Sequence, residues 1–384
     1  MELKRERQLI WANRASFLVA GCAVAAWAPL IPFVQERFSL QEQQLGMLLL
    51  CVGIGSICSM PLSGFLAARW GCRTLVYLGT CLLSLCLLAI SMVQNIYLMG
   101  AVLFCFGVGS VLIDVTSNIN AARVELMLKR PIMSGLHGLY SVGGFIGSLC
   151  VTFILSEGID LTTTALLTVV LLLAITVMGC RHLLNSGQTA AQDEASSGNQ
   201  RIFHPLVILV GGLCFIMFMT EGSMLDWTGV FLRQERNVPI EQAGYGYAAF
   251  AIAMTIFRLS GDRLVQFLGR RRTLCFGTLV IFCGYCLAVM VPHPLTSLLG
   301  FFFIGVGAAN VVPQLISYTV TIEQVSINAA VTLVNSIGFT GILCGPALIG
   351  FMAHAIGLPQ TFMVISCLVF LVGGICFFLL KVRR

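Results

Sequence analysis

Charge is scarce in this sequence: Asp, Glu, Lys and Arg together make up 10% of its 384 residues, where soluble globular chains carry about 25%. Too few polar side chains remain to cover a soluble enzyme or nucleic-acid binder of this size, so both classes are excluded. Several motifs for catalysis and ligand binding are also missing. There is no P-loop, HExxH, CxxCH or EF-hand loop, so no metal and no cofactor are expected, and ATP-driven transport by this chain alone is disfavoured. The five histidines, His137, His182, His204, His293 and His354, lack the spacing that a membrane-embedded enzyme would need. The net charge is +6, yet the basic residues are scattered and form no face for nucleic acid.

What the chain has is apolar length, with 58% hydrophobic residues and a mean hydropathy of +0.95. These residues fall into runs of about 20, long enough to cross a hydrocarbon core as helices. Polar breaks between the runs predict twelve helical segments, at 15–36, 45–68, 74–94, 97–121, 132–156, 162–184, 204–232, 243–263, 273–292, 295–321, 328–355 and 359–380. The 16 cysteines sit inside these runs, where they act as small hydrophobes rather than as a disulfide framework. Val19-Ala20-Gly21-Cys22 has the form of a lipoprotein cleavage box, but the apolar run continues to Val34 and cleavage is not expected. The polar stretch 185–202 reads as a linker between two six-helix halves, 1–184 and 203–384.

An even number of spans puts both ends of the chain on one side. Eighteen of the 22 Lys and Arg lie on that side, the alternate loops hold only Arg37, Arg233 and Arg236, and Arg258 falls inside a segment. That asymmetry predicts that both termini are cytoplasmic. The halves also look like copies. Trp27 with Gln35-Glu36-Arg37 recurs as Trp227 with Gln234-Glu235-Arg236, Gly64 recurs as Gly261, and Gly107-Val108-Gly109 recurs as Gly305-Val306-Gly307, at offsets between 197 and 200. Matches in order on corresponding segments indicate a duplicated six-helix unit, which is how the major facilitator fold is built.

The stretch Gly64-Phe65-Leu66-Ala67-Ala68-Arg69-Trp70-Gly71-Cys72-Arg73 resembles the cytoplasmic motif between helices 2 and 3 of major facilitator transporters. A second copy follows in Gly261-Asp262-Arg263 with Gly269-Arg270-Arg271-Arg272. Ala68 stands where the first copy should carry an Asp, and Cys72 replaces a basic residue, so a charge-pair gate is expected to rest more on the second half. Trp27-Ala28-Pro29-Leu30-Ile31-Pro32, Arg130-Pro131-Ile132-Met133-Ser134 with His137, Glu221-Gly222-Ser223-Met224 with Asp226-Trp227, and Gly345-Pro346 with Gly350 resemble a fucose-permease-like bacterial subgroup. Most of its members are uncharacterised, and one is a membrane protein of rhizopine synthesis. The resemblance implies an all-α membrane protein of twelve helices in two pseudo-symmetric halves, monomeric and multi-pass in a bacterial inner membrane. It further implies a secondary transporter of a small sugar-like or polyol-like solute, with the bilayer and protons as its other partners. Fucose permeases resemble proton symporters with acids in helices 1 and 4, whereas segment 1 here has no acid before Glu36. A drug or metabolite efflux transporter, a membrane-embedded enzyme and a transporter-like receptor stand as alternatives.

Ionisable groups inside spans cost at least about 2.5 kcal/mol on insertion scales, which makes the few present functional candidates. Three acids qualify: Asp114, Glu221 and Asp226. Asp114 in segment 4 has Ser110, Ser117 and Asn118 on the same helical face, a polar stripe suited to a cavity. Glu221 and Asp226 lie about 140° apart around segment 7, so only one is expected to meet substrate, and Glu221 is the deeper. Asp114 and Glu221 are expected to line one central cavity, with protonation linked to substrate binding. His137 reads either as a proton carrier or as a histidine donating to a backbone carbonyl. Asn310, Gln314 and Asn335 suit substrate hydroxyls or contacts between helices. Trp27 and Tyr140 suit either stacking on a sugar ring or packing. The cytoplasmic gate is expected to comprise Gly64, Arg69, Gly71, Arg73, Asp262 and Arg263, with Arg258 snorkelling one turn before Asp262 and pairing with it.

Overall fold

In a computed structural model the chain is nearly all helical, and residues 2–128, 132–184, 204–319, 322 and 327–379 are described. Each of the twelve segments is helical. The first is α1 (Glu2–Ala25), a 3-10 turn at Ala28–Leu30 and α2 (Ile31–Arg37); then come α3 (Glu42–Trp70), α4 (Cys72–Met92), α5 (Ile96–Leu128), α6 (Met133–Ser156) and α7 (Leu161–Gly179). Beyond the linker lie α8 (Pro205–Arg236), α9 (Tyr245–Leu259), α10 (Gly261–Leu268) and α11 (Arg270–Met290). The last segments are α12 (Pro294–Ala308) with α13 (Val311–Thr319), α14 (Ile327–Ile356) and α15 (Leu358–Leu379).

Several boundaries differ from the sequence reading, each for a local reason. Helix α1 starts at Glu2 rather than near residue 15, because the polar residues ahead of the apolar run are good helix formers that hydropathy does not register. Pro29 has no N–H for the Ala25 carbonyl, and the first span changes helix there. Among the described residues, eleven of the segments are helices long and apolar enough to cross a membrane. The eighth, expected as one helix over 243–263, is split at Ser260, where the Asn310 carboxamide donates to the Phe257 carbonyl at 2.9 Å. Pro313 likewise has no N–H for the Ala309 carbonyl, and the tenth span breaks between α12 and α13.

The chain forms two compact units. One comprises Met1–Leu40, Leu48–Gln192 and Pro239–Ala248; the other comprises Gln41–Met47, Asp193–Val238 and Ala249–Arg384. In the first, α1 packs against α6 and α4 against α5; in the second, α8 packs against α14 and α11 against α12. These are corresponding pairs of the duplicated unit. The repeated glycines serve the same contacts in each copy: a methyl group at Gly107 would overlap the Val52 carbonyl, and one at Gly305 would overlap that of Phe250. Gly71 and Gly269 precede α4 and α11 with φ/ψ of 83°/154° and 79°/153°, a conformation open essentially to glycine alone. Leu85, Phe153, Val170, Val177 and Phe370 are each more than half exposed, an apolar perimeter suited to lipid.

Two arginines of the repeat have a role that the sequence reading did not assign. Arg37 donates to the carbonyls of Ile90, Ser91 and Val93 at 2.6, 2.9 and 3.0 Å, closing the C-terminal end of α4. Arg236 donates to Ala288 and Val289 at 2.8 and 2.9 Å, closing α11, and its Nε reaches Ser297 Oγ at 2.9 Å. Each guanidinium supplies donors where a helix has run out of its own. None of the 16 cysteines is in a disulfide; Cys283-Gly284-Tyr285-Cys286, spaced like a redox or metal pair, lies inside α11. Among the described residues no group of three His, Cys, Asp or Glu side chains is placed to hold a metal ion.

Candidate functional site

In the first unit the polar stripe of α5 is local. Asn118 donates to the Asp114 carbonyl at 2.9 Å and to its carboxylate at 3.2 Å, while Ser110 turns back to the Gly107 carbonyl at 2.8 Å. Asp114 and Asn118 are half-buried, and the hydroxyls of Thr116 and Ser117 are buried without a hydrogen-bond partner among the described residues. Trp27 is 2% exposed and packs near Phe106, with ring centroids 6.2 Å apart. His137 is exposed on α6, edge-on to Phe17 at 5.3 Å, and Tyr140 flanks the same Phe17 cluster.

The second unit brings together residues that lie far apart in sequence. Arg258, at the end of α9, places Nη2 3.5 Å from Glu221 Oε1 on α8. Its Nε donates at 3.3 Å to the Ala309 carbonyl, the one left without a helical donor by Pro313. Asn310 is buried and occupies the facing break through its bond to the Phe257 carbonyl. One turn further, Gln314 is half-buried on α13, and Asn335 is half-buried on α14. Asp226 is 9% exposed and therefore more enclosed than Glu221, and Trp227 beside it is fully buried with an indole N–H that has no acceptor among the described residues.

Arg258 was expected to snorkel and to pair with Asp262; among the described residues its ion pair runs across helices to Glu221. The side chain of Asp262 lies outside the described residues, so its part in a gate is untouched by this finding. Of the other gate candidates, Arg69 and Arg263 are exposed, Gly64 is half-buried, Gly71 supplies the turn described above, and Arg73 lies over the Tyr77 ring at 5.7 Å. One anchor had no local sequence signal. Asn120 donates to Asn13 Oδ1 at 2.8 Å and accepts from the backbone N–H of Leu184 at 2.9 Å, tying the end of the first half to α1 and α5. Both asparagines are fully buried.

The profile described as Major Facilitator Superfamily matches residues 15–322 and 209–384. The chain is 41% identical over 364 residues to an uncharacterised MFS-type transporter of Yersinia pestis, covering 94% of each chain. It is 29% identical to the membrane protein MosC of Rhizobium meliloti, over 93% of this chain and 86% of that one. Among solved structures, a point mutant of the nucleoside transporter NupG aligns with a TM-score of 0.75 at 13% identity, covering 97% of this chain and 98% of that one. At that identity the likeness is one of fold.

Proposed function

The chain belongs to the Major Facilitator Superfamily, and from that premise we propose that it carries a small organic solute, sugar-like or polyol-like, across a bacterial inner membrane by alternating access. The halves 1–184 and 203–384 are the proposed bodies, joined by the linker 185–202, and the fucose-permease-like placement belongs to the same reading. The observation that carries it is the ion pair of Glu221 and Arg258 within the spans of the second unit. Charges in a membrane segment are costly, and two of them held against a proline-broken helix mark a site of function rather than of packing. The stripe of Asp114 and Asn118 on α5 is the counterpart in the first unit. Protons are the proposed coupling ion, with Asp114 and Glu221 as their carriers.

Counterflow in proteoliposomes with sugars, polyols, nucleosides and cationic dyes tests the transport reading, and the side from which solute is taken separates uptake from efflux. For the solute identified, Asp114→Asn and Glu221→Gln are each expected to abolish accumulation driven by a pH gradient, with at least one retaining energy-independent exchange. Wild-type accumulation in both variants would remove protons from the scheme and leave an uncoupled or sodium-driven carrier.

A further inference from the structure

In the Glu221–Arg258 pair the arginine is the more accessible partner, with a side chain 32% exposed against 15% for the glutamate. Its Nε donates to the Ala309 carbonyl, which orients the guanidinium plane and turns its outer edge, with Nη2, toward Glu221. The ion pair itself is slack. At 3.5 Å the Nη2 to Oε1 separation exceeds that of a charge-assisted hydrogen bond by roughly 0.6 Å or more. Among the described residues Glu221 Oε1 is buried with no hydrogen-bond partner of ordinary length. A buried carboxylate oxygen held by one long contact is poorly compensated. A second carboxylate that could engage the fork edge-on, with two parallel bonds, would hold Arg258 better than Glu221 does.

We propose that Arg258 anchors a carboxylate on the transported solute and that Glu221 is the internal carboxylate which that solute displaces. This rests on the transport reading above and narrows its substrate to hydroxylated monocarboxylates, the acid forms of sugars and polyols. The carboxamide of Gln314, one turn beyond the Asn310 break, is of the type that orients hydroxyls. A neutral sugar offers nothing to compete for the guanidinium. A cationic solute would need Glu221, whose facing oxygen is buried and whose side chain is the less accessible of the two.

Matched pairs of solutes test this with the full-length protein: D-gluconate against D-glucitol and D-glucuronate against D-glucose, in proteoliposome counterflow and by calorimetric titration. The acids are expected to exchange and bind, and their neutral partners to do so about tenfold more weakly or less. Arg258→Gln should raise the Kd for the acids by roughly tenfold or more, with Arg258→Lys recovering only part because an ammonium has no fork. Glu221→Gln should tighten acid binding by about threefold or more through loss of the internal competitor, a direction that a merely structural glutamate would not produce. Neutral partners that exchange as fast as the acids would overturn the proposal, as would weaker acid binding in Glu221→Gln. So would unchanged acid binding in an Arg258→Gln protein of wild-type circular dichroism; if that variant does not fold, the matched pairs and Glu221→Gln still decide. Exchange of neutral or cationic solutes without any acid would overturn this inference and leave the transport reading standing. Exchange of nothing by folded protein would overturn both.

Discussion

Asp160 shows how a single side chain sets a local boundary. It precedes α7 and accepts from the Thr163 backbone N–H at 2.8 Å and from the Thr163 hydroxyl at 2.7 Å. Those bonds favour the ionised form and hold its carboxyl below the ordinary value of 3.8. A depressed folded value means that the stabilisation is present at neutral pH and lost as pH falls through that folded value. Asp160→Ala is therefore expected to melt below wild type at pH 7, with the gap closing as pH drops below the usual carboxylate range. A gap that persists in acid would show that the cap does not depend on charge. The site residues were legible to different degrees at this scale. Asp114 and Asn118 are one turn apart and their bond follows from helical spacing. Arg258 and Glu221 are not neighbours in any local pattern, and the sequence alone directed Arg258 toward Asp262, one turn away.

Among the elements, the two arginine caps explain an anomaly in the charge count. Arg37 and Arg236 are two of the three basic residues on the side assigned as outer, and both are held by the carbonyl ends of α4 and α11. Hydrogen bonds to a charged donor are worth about 1.5–3 kcal/mol. Arg37→Gln and Arg236→Gln are each expected to lower stability by about that amount, as a fall in melting temperature of the purified protein. The paired measurement matters because the duplication assigns both residues one role; loss in only one variant would break that equivalence. The Gln-Glu-Arg repeat was visible in the sequence, but its purpose was not, since the carbonyls that it serves lie more than fifty residues away. Breaks within spans were hidden for a related reason: Pro313 marks a weak point, whereas the interruption at Ser260 depends on Asn310 from another helix.

For the molecule as a whole, the basic asymmetry makes a direct prediction of topology. With single cysteines in a cysteine-free background, Ser196→Cys in the linker is expected to label from the cytoplasm and Glu157→Cys between α6 and α7 from outside. Labelling of position 196 from outside would invert the assignment. Duplication operates at this scale too, since Gly107 and Gly305, and likewise Gly71 and Gly269, meet the same demands in their separate units.

Membrane insertion, the helical class and the twofold repeat follow from hydropathy and spacing, because a chain in hydrocarbon must satisfy its backbone within each segment and each apolar run is then a helix on local grounds. Where spans break, which arginines close helix ends and which base meets Glu221 depend on groups from other helices, and these meet only once the bundle has packed. Hydropathy averages over about twenty residues, whereas a proline-freed carbonyl or a guanidinium fork acts over about 3 Å. The candidate site was therefore decided by tertiary contact: the sequence named Glu221, Arg258 and Asn310 separately, and packing of α8, α9 and the broken tenth span made them neighbours.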